Sequence, residues 1–285
     1  MDHMSLTEKW LRGIALTLVV LFFMFPIFWI VLMSLQTNET ILRSPPSMVF
    51  EPTLKNYVAI ITGKLDSHVA SMDIAFMRNL WNSILLSVCS VAVALLLGVP
   101  AAYAFARHKF RGSEDIAFTL LSFRFAPPLL VLLPLTIYFQ DIGLANTYFG
   151  LIWVYQLICL PLILWIVRGY FEDISPDLEN AYRIAGHSWL STFRRIALPL
   201  AGPGIAAAGL LAFIFAWNNF IFALVLASAD KQPVTVGALA FVTASGIQYG
   251  QIAAAVVLSI APTLALALYA QRYLVEGLSL GAVKG

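Results

Sequence analysis

Apolar residues in this chain do not alternate with polar ones, nor do they recur at a surface-helix spacing; they come in six long runs. These lie at about 12–35, 80–106, 116–139, 147–169, 204–228 and 250–274. A helix rises 1.5 Å per residue, so roughly 20 apolar residues cover the ~30 Å of a bilayer's hydrocarbon. The pattern predicts an all-α integral membrane protein with six transmembrane helices. A single membrane domain over 12–275 is flanked by short ends at 1–11 and 276–285. The longest connection, Gln36 to Arg78, holds Pro45-Pro46 and Pro52 and then the amphipathic stretch LKNYVAII, and it predicts a small extracytoplasmic cap. Pro100, Pro127, Pro128, Pro134, Pro161 and Pro262 fall within the runs. Each withholds a backbone donor and tends to kink its helix. Two readings stand: ordinary tolerance of proline in membrane helices, or broken helices lining a path that opens and closes.

Composition sharpens the class. The chain is 60% hydrophobic and 11% charged, with a mean hydropathy of +0.85, which a soluble domain of 285 residues could not bury. A net charge of +2 is too small to point to nucleic acid. Cys89 and Cys159 lie in apolar runs and read as small hydrophobes, and no His/Cys cluster suggests a metal. The first run has no small-residue cleavage site after it, so it reads as an uncleaved first helix. Lys9, Arg12, Arg107, Lys109, Arg111, Arg168, Arg183, Arg194, Arg195, Arg272 and Lys284 fall on one side. Arg43, Lys55, Lys64, Arg78 and Lys231 fall on the other, which places both termini in the cytoplasm by the positive-inside rule.

The missing chemistry narrows function further. All fifteen acidic residues avoid the middles of the runs, against the intramembrane carboxylate of many proton- or sodium-coupled carriers. There is no GxxxxGK[ST] loop for nucleotide. His3, His68, His108 and His187 sit at ends and loops with no triad or ligand spacing, so no catalytic residue and no metal site is expected and the chain is read as no enzyme. What remains is a pore-forming subunit driven from outside; the alternative is a stand-alone channel or facilitator for small polar solutes.

The cytoplasmic loop 170–203 carries the best-built polar element, SPDLENAYRIAGHSWLSTFRRIALPLAGP from Ser175 to Pro203. Ser175 can cap a helix opening on Pro176, Asp177 and Glu179 suit its first turn, and Gly186 can end it. Ser188 can cap a second helix, WLSTFRRIAL, with Arg194 and Arg195 late in it, before a proline stop. An amphipathic connector at the interface is the plainer alternative.

This loop resembles the EAA loop of bacterial ABC importer permeases, whose pattern E-A-A-x-x-D-G-A is followed by an I-x-L-P ending. With Gly186 and Ile196-Ala197-Leu198-Pro199 in register, Asn180 stands at the glutamate, Ala181 at the first alanine and Ala185 at the aspartate, and Glu179 is one position early. Asn82-Ser83, AAYAFARHKFRG (Ala101 to Gly112), Asn146-Thr147, Trp217-Asn218-Asn219-Phe220 and the tail EGLSLGAVKG extend the likeness over nearly the whole chain. They point to the MalG-like permeases of carbohydrate importers, with a MetI/MalG-like type I fold.

The resemblance implies a transmembrane permease subunit of an ATP-driven, binding-protein-dependent importer of a sugar, polyol or sugar derivative in the bacterial inner membrane. It implies a heterodimer with a homologous permease, an extracytoplasmic solute-binding protein, and two cytoplasmic ATPases that bind the ATP and Mg, with no cofactor in this chain. Glu179, Asn180, Ala181, Ala185, Gly186 and Pro199 would form the coupling helix and its exit. Arg124, Trp217, Asn218 and Asn219 are candidates for the translocation path. A lipid-facing Arg124 would cost roughly 2.5–3.5 kcal/mol or more, so it should face an interface or a wet path, snorkel to the cytoplasmic surface, or serve carbonyls freed by Pro127 and Pro128. It leaves open an anionic sugar derivative such as a glycerol phosphate or sulfonated sugar. The tryptophan and two asparagines suit a polyhydroxylated solute, or simple helix packing.

Overall fold

A computed structural model of the protein describes residues 6–44, 49–63, 75–108, 110–125, 127–243 and 246–281. The Pro45-Pro46 turn, His3, Lys64, His68, Lys109 and the tail beyond Gly281 lie outside the described residues. In chain order the helices are α1 (Leu6–Ser34), α2 (Asn38–Ile41), α3 (Lys55–Thr62), α4 (Phe76–Arg107), α5 (Ser113–Ser122) and α6 (Pro128–Asp141). There follow α7 (Tyr148–Val154), α8 (Gln156–Asp173), α9 (Pro176–Ile184), α10 (Trp189–Thr192), α11 (Leu198–Leu200) and α12 (Gly202–Trp217). The last are α13 (Ile221–Leu226), α14 (Val234–Gly237) and α15 (Tyr249–Gly281). A two-residue antiparallel ladder pairs Val242 with Ile247 and Thr243 with Gly246.

Among the described residues, α1, α4 and α15 contain stretches long and apolar enough to cross a membrane on their own. Three further stretches pass the same test only as pairs of helices; two fall on the third and fourth runs, while the last begins in the polar loop at Trp189 and ends at Trp217, short of the predicted 204–228. The third run divides between Phe125 and Pro128; α7 and α8 meet at 43°, and Trp189–Leu200 meets α12 at 72°. Counting each pair as one span gives up to six. The break before α6 falls where proline removes two successive donors, as the broken-helix reading expects. Pro100, Pro134, Pro161 and Pro262, by contrast, lie inside helices that continue past them.

The chain divides into two units, Met1–Met77 with Ala238–Ile260, and Arg78–Gly237 with Ala261–Gly285. In the first, α1 keeps its large apolar side chains exposed along nearly its whole length, as a helix facing lipid or another protein chain does. Its C-terminal carbonyls are not left orphaned. Asn56 Nδ2 donates to Ser34 O at 2.9 Å and to Gln36 O at 2.7 Å, and Ser34 Oγ lies 2.7 Å from Tyr57 Oη.

In the second unit, α8 and α12 pack closely together. Gly204 permits the approach: a Cβ there would run into the Tyr170 ring. Small residues at helix contacts serve this purpose in membranes, where apolar surface alone gives little reason to associate. The start of α4 is fixed by polar contacts. Asn82 Nδ2 donates to the carbonyls of Asp230 and Gln232 at 2.9 and 3.0 Å, Tyr148 Oη donates to Asn82 Oδ1 at 2.8 Å, and Val234 N donates to Ser83 Oγ at 2.8 Å. Asn82 and Ser83 are buried, and their side chains tie the loop backbone at 230–234 to the start of α4.

Candidate functional site

The elbow between α8 and α12 is built as its residues dictate. Ser175 Oγ accepts from Asp177 N at 3.3 Å, and Pro176 opens α9 where its missing N–H costs nothing. Gly186 ends the turn after α9 with φ 92°, a left-handed conformation that side chains other than glycine's resist. Ser188 Oγ then accepts from Ser191 N at 3.3 Å and caps α10. The proline stop differs from expectation. Pro199 lies inside the helical path, which continues to Leu200 and breaks at Ala201 before Pro203. Proline at 199 cannot donate to the Arg195 carbonyl, and its ring would collide with that carbonyl in an α-helix. The backbone widens instead into a π-turn over Phe193–Ala197, with Leu198 N bonded to Phe193 O.

One side chain of α9 points into the protein. Glu179 Oε2 accepts from Tyr103 Oη at 2.6 Å, while Arg107 Nε and Nη2 each lie 2.8 Å from Oε1. Arg107 Nη2 also donates to Ile174 O at 2.9 Å, holding the turn that precedes α9. The side chains of Arg107 and Glu179 are only 8% and 3% exposed. Above them Tyr103 packs against Phe171 and Phe193, with ring centroids 5.2 and 4.9 Å away. A buried charge pair is costly to desolvate and holds only if its geometry is good and its remaining bonds are made. Here both carboxylate oxygens and the guanidinium have partners. The end of α4 is thereby clamped to α9.

The opposite face of the elbow is open. Asn180, Ala181, Ala185, Gly186 and Pro199 are exposed, as are Leu178, Trp189 and Leu190, and Ile184 is 87% exposed. The Arg183 guanidinium lies 3.6 Å over the Trp189 ring, and Tyr182 stacks on His187 at 3.9 Å. Hydrogen bonding to Ser191, then to Arg195, holds the Tyr182 hydroxyl below the usual phenol range. Apolar side chains thus stand out from a braced polar frame, as they do at a protein or membrane contact.

A second feature lies where α6, α8 and the break between α12 and α13 meet. A cavity of about 120 Å3 is lined there by Arg124, Pro128, Leu157, Ile158, Asn219 and Phe222, among others. The Arg124 guanidinium sits 4.3 Å over the Phe215 ring, yet its Nη1 is buried without a hydrogen-bond partner. Asn219 is 8% exposed, and its Oδ1 is likewise unpartnered. A larger groove of about 660 Å3 is lined by apolar side chains of α4, α12 and α15 together with Tyr269.

Comparison with known families matches residues 94–279 to the binding-protein-dependent transport system inner membrane component. The chain belongs to this family. Among its relatives, the trehalose transport system permease protein SugB of Mycobacterium tuberculosis is 36% identical over 276 residues, covering 94% of this chain and 95% of its own. The trehalose/maltose transport system permease protein MalG of Thermococcus litoralis is 33% identical over 270 residues, covering 94% of each chain. A solved bacterial ABC transporter involved in import of the acidic polysaccharide alginate aligns with a TM-score of 0.76 over 96% of this chain and 99% of its own, at 23% identity. At that identity the likeness is one of fold.

Within this permease the elbow residues named from sequence separate by direction: Asn180, Ala181, Ala185, Gly186 and Pro199 face outward, and Glu179 faces inward. Of the four path candidates, Arg124 and Asn219 share one cavity. Trp217 is buried and stacks on Phe213 at 5.6 Å, and Asn218 turns back to donate to Ile214 O at 2.8 Å. Sequence reasoning passed over Tyr103 and Arg107 as functional groups, although both lie in the AAYAFARHKFRG run that carried the resemblance. The signal was a tyrosine and an arginine four residues apart, one helical turn, at the end of an apolar run.

Proposed function

We propose that this permease is the membrane subunit of an ATP-driven importer for a sugar, polyol or sugar derivative. It forms half of the translocation path with a homologous permease and receives solute from an extracytoplasmic binding protein. Its elbow, on the cytoplasmic side with both termini, docks on one of two ATPases that bind ATP and Mg. The sugar transport named for SugB and MalG supports the solute class.

The observation that carries the coupling role is the Tyr103–Arg107–Glu179 clamp beneath an outward apolar face. A connector at a membrane interface has no need of a buried ion pair. A lever does, because force applied at Ile184 is transmitted only if α9 cannot slide on α4. Closure of the ATPase pair then swings the braced elbow, and α12 with it, between two packings. Replacing Gly186 by Val, or deleting 178–186, is expected to abolish uptake while solute capture by the binding protein stays intact. Unchanged transport in those variants removes the coupling assignment, and solute conduction by the purified chain without an ATPase would favour the channel reading instead.

A further inference from the structure

The cavity between Arg124 and Asn219 is an unfinished hydrogen-bonding site. Arg124 Nη1 is a buried donor without an acceptor, and Asn219 Oδ1 is a buried acceptor without a donor, and both groups line the same space. Leaving a buried polar group unmatched costs about 1–3 kcal/mol, and more for a charged one. Both groups are held in place. The Phe215 ring lies under the guanidinium, and Asn219 is fixed through its backbone, which donates to Ala216 O at 3.2 Å and accepts from Thr235 Oγ1 at 2.8 Å. Among the described residues, no carboxylate lines the cavity and none pairs with Arg124.

We propose that this cavity is an anion-recognition subsite, taking a carboxylate, sulfonate or phosphate of a sugar against Arg124 and a neighbouring hydroxyl against Asn219. This rests on the importer reading and names the solute class within it. The volume decides how much of a solute enters. About 120 Å3 is the space of roughly four water molecules, well below the ~300–1,000 Å3 of a site enclosing a whole ligand. One charged group and its neighbouring hydroxyl fit; the rest of the solute lies outside. An unpaired guanidinium presents a fork that matches such an anion, and the charge-assisted bonds are roughly twice as strong as those a neutral sugar makes. The two walls also belong to different elements. Asn219 follows α12, which the elbow moves, while Arg124 precedes α6.

The test uses the assembled permease–ATPase complex without nucleotide, in nanodiscs of phosphatidylcholine, with binding measured directly so that the binding protein is bypassed. Glucuronate, glucose 6-phosphate and 6-deoxy-6-sulfoglucose are each compared with glucose. At least one anion is expected to bind about tenfold more tightly than glucose, as a charge-assisted pair predicts. Arg124→Gln is expected to bring that ratio to about one, Arg124→Lys to an intermediate value, and Asn219→Ala to weaken anion and glucose alike. Equal affinity of wild type for all four probes overturns the proposal without needing any variant. So does a preference that Arg124→Gln leaves intact, or one that appears only when phosphatidylglycerol is added, which would assign Arg124 to a lipid headgroup. Gly186→Val complexes should still prefer the anion, so failure here leaves the coupling reading standing.

Discussion

Glu179 makes the case that a charged residue on an amphipathic helix need not face water. Its carboxylate sits among Tyr103, Arg107 and an aromatic cover, and removing one partner strands the other. Glu179→Ala is therefore expected to destabilise the elbow end of the bundle by about 3–5 kcal/mol, by leaving the guanidinium buried and uncompensated. Removing the whole constellation, as Tyr103→Phe with Arg107→Met and Glu179→Leu, should recover much of that loss, since a well-packed apolar replacement is often neutral. Heat challenge of the purified complex, scored by remaining monodisperse protein, separates the two. Equal damage by the single and triple changes argues against the clamp. From sequence Glu179 was legible as polar and first-turn, which suits the helix dipole, but its direction was not. Its partners lie 76 and 72 residues away, a distance no local periodicity spans. Asn219 was legible for its chemistry, in a motif that interrupts an apolar run; the orphaned oxygen needed the fold to bring Arg124 alongside.

At the scale of elements, the packing of α8 against α12 depends on what is absent from Gly204. Any Cβ at that position overlaps the ring of Tyr170, so Gly204→Ala must displace the ring or part the helices. The expected cost is about 1–3 kcal/mol of stability, with a matching fall in assembled complex. Tyr170→Ala introduced with it should restore assembly, because the obstacle is that ring. A Gly204→Ala permease that assembles and withstands heat like wild type would show that the helices do not meet there. The apolar runs made most of these elements legible because a bilayer requires long apolar stretches, even where the helix within one is broken. Breaks were less legible. Pro161 lies inside α8, whereas the break between α7 and α8 comes at Tyr155, ahead of that proline. The break after Trp217 coincides with two asparagines and no proline at all. The π-turn before Pro199 was likewise hidden, since a run such as FRRIA reads as plain helix until the missing donor downstream is counted.

For the whole molecule, transport as proposed above joins two places that the sequence shows only as separate polar interruptions. Helix α12 starts at the bend after the elbow and ends beside Asn219, so a rotation imposed at the elbow arrives at the cavity wall with little loss, provided the bend is stiff. Stiffness there has a source. Ala201 N and Ile205 N continue the helical hydrogen bonding to Ala197 O and Ala201 O across the turn, and Pro203 fixes its own φ. Inserting Gly-Ser between Ala201 and Gly202 should break this transmission while leaving the Glu179 clamp, the outward face of α9 and the Arg124–Asn219 cavity unchanged. The insertion complex is then expected to bind its ATPases and hydrolyse ATP, with uptake reduced by about tenfold or more, since coupling of this kind works only through differential packing of the two states. Paired assays of ATP hydrolysis and uptake in proteoliposomes read the two quantities in one preparation. Wild-type uptake by the insertion variant would mean that force reaches the path by another route, and α4, clamped to the same elbow through Arg107, would be the next element to interrupt.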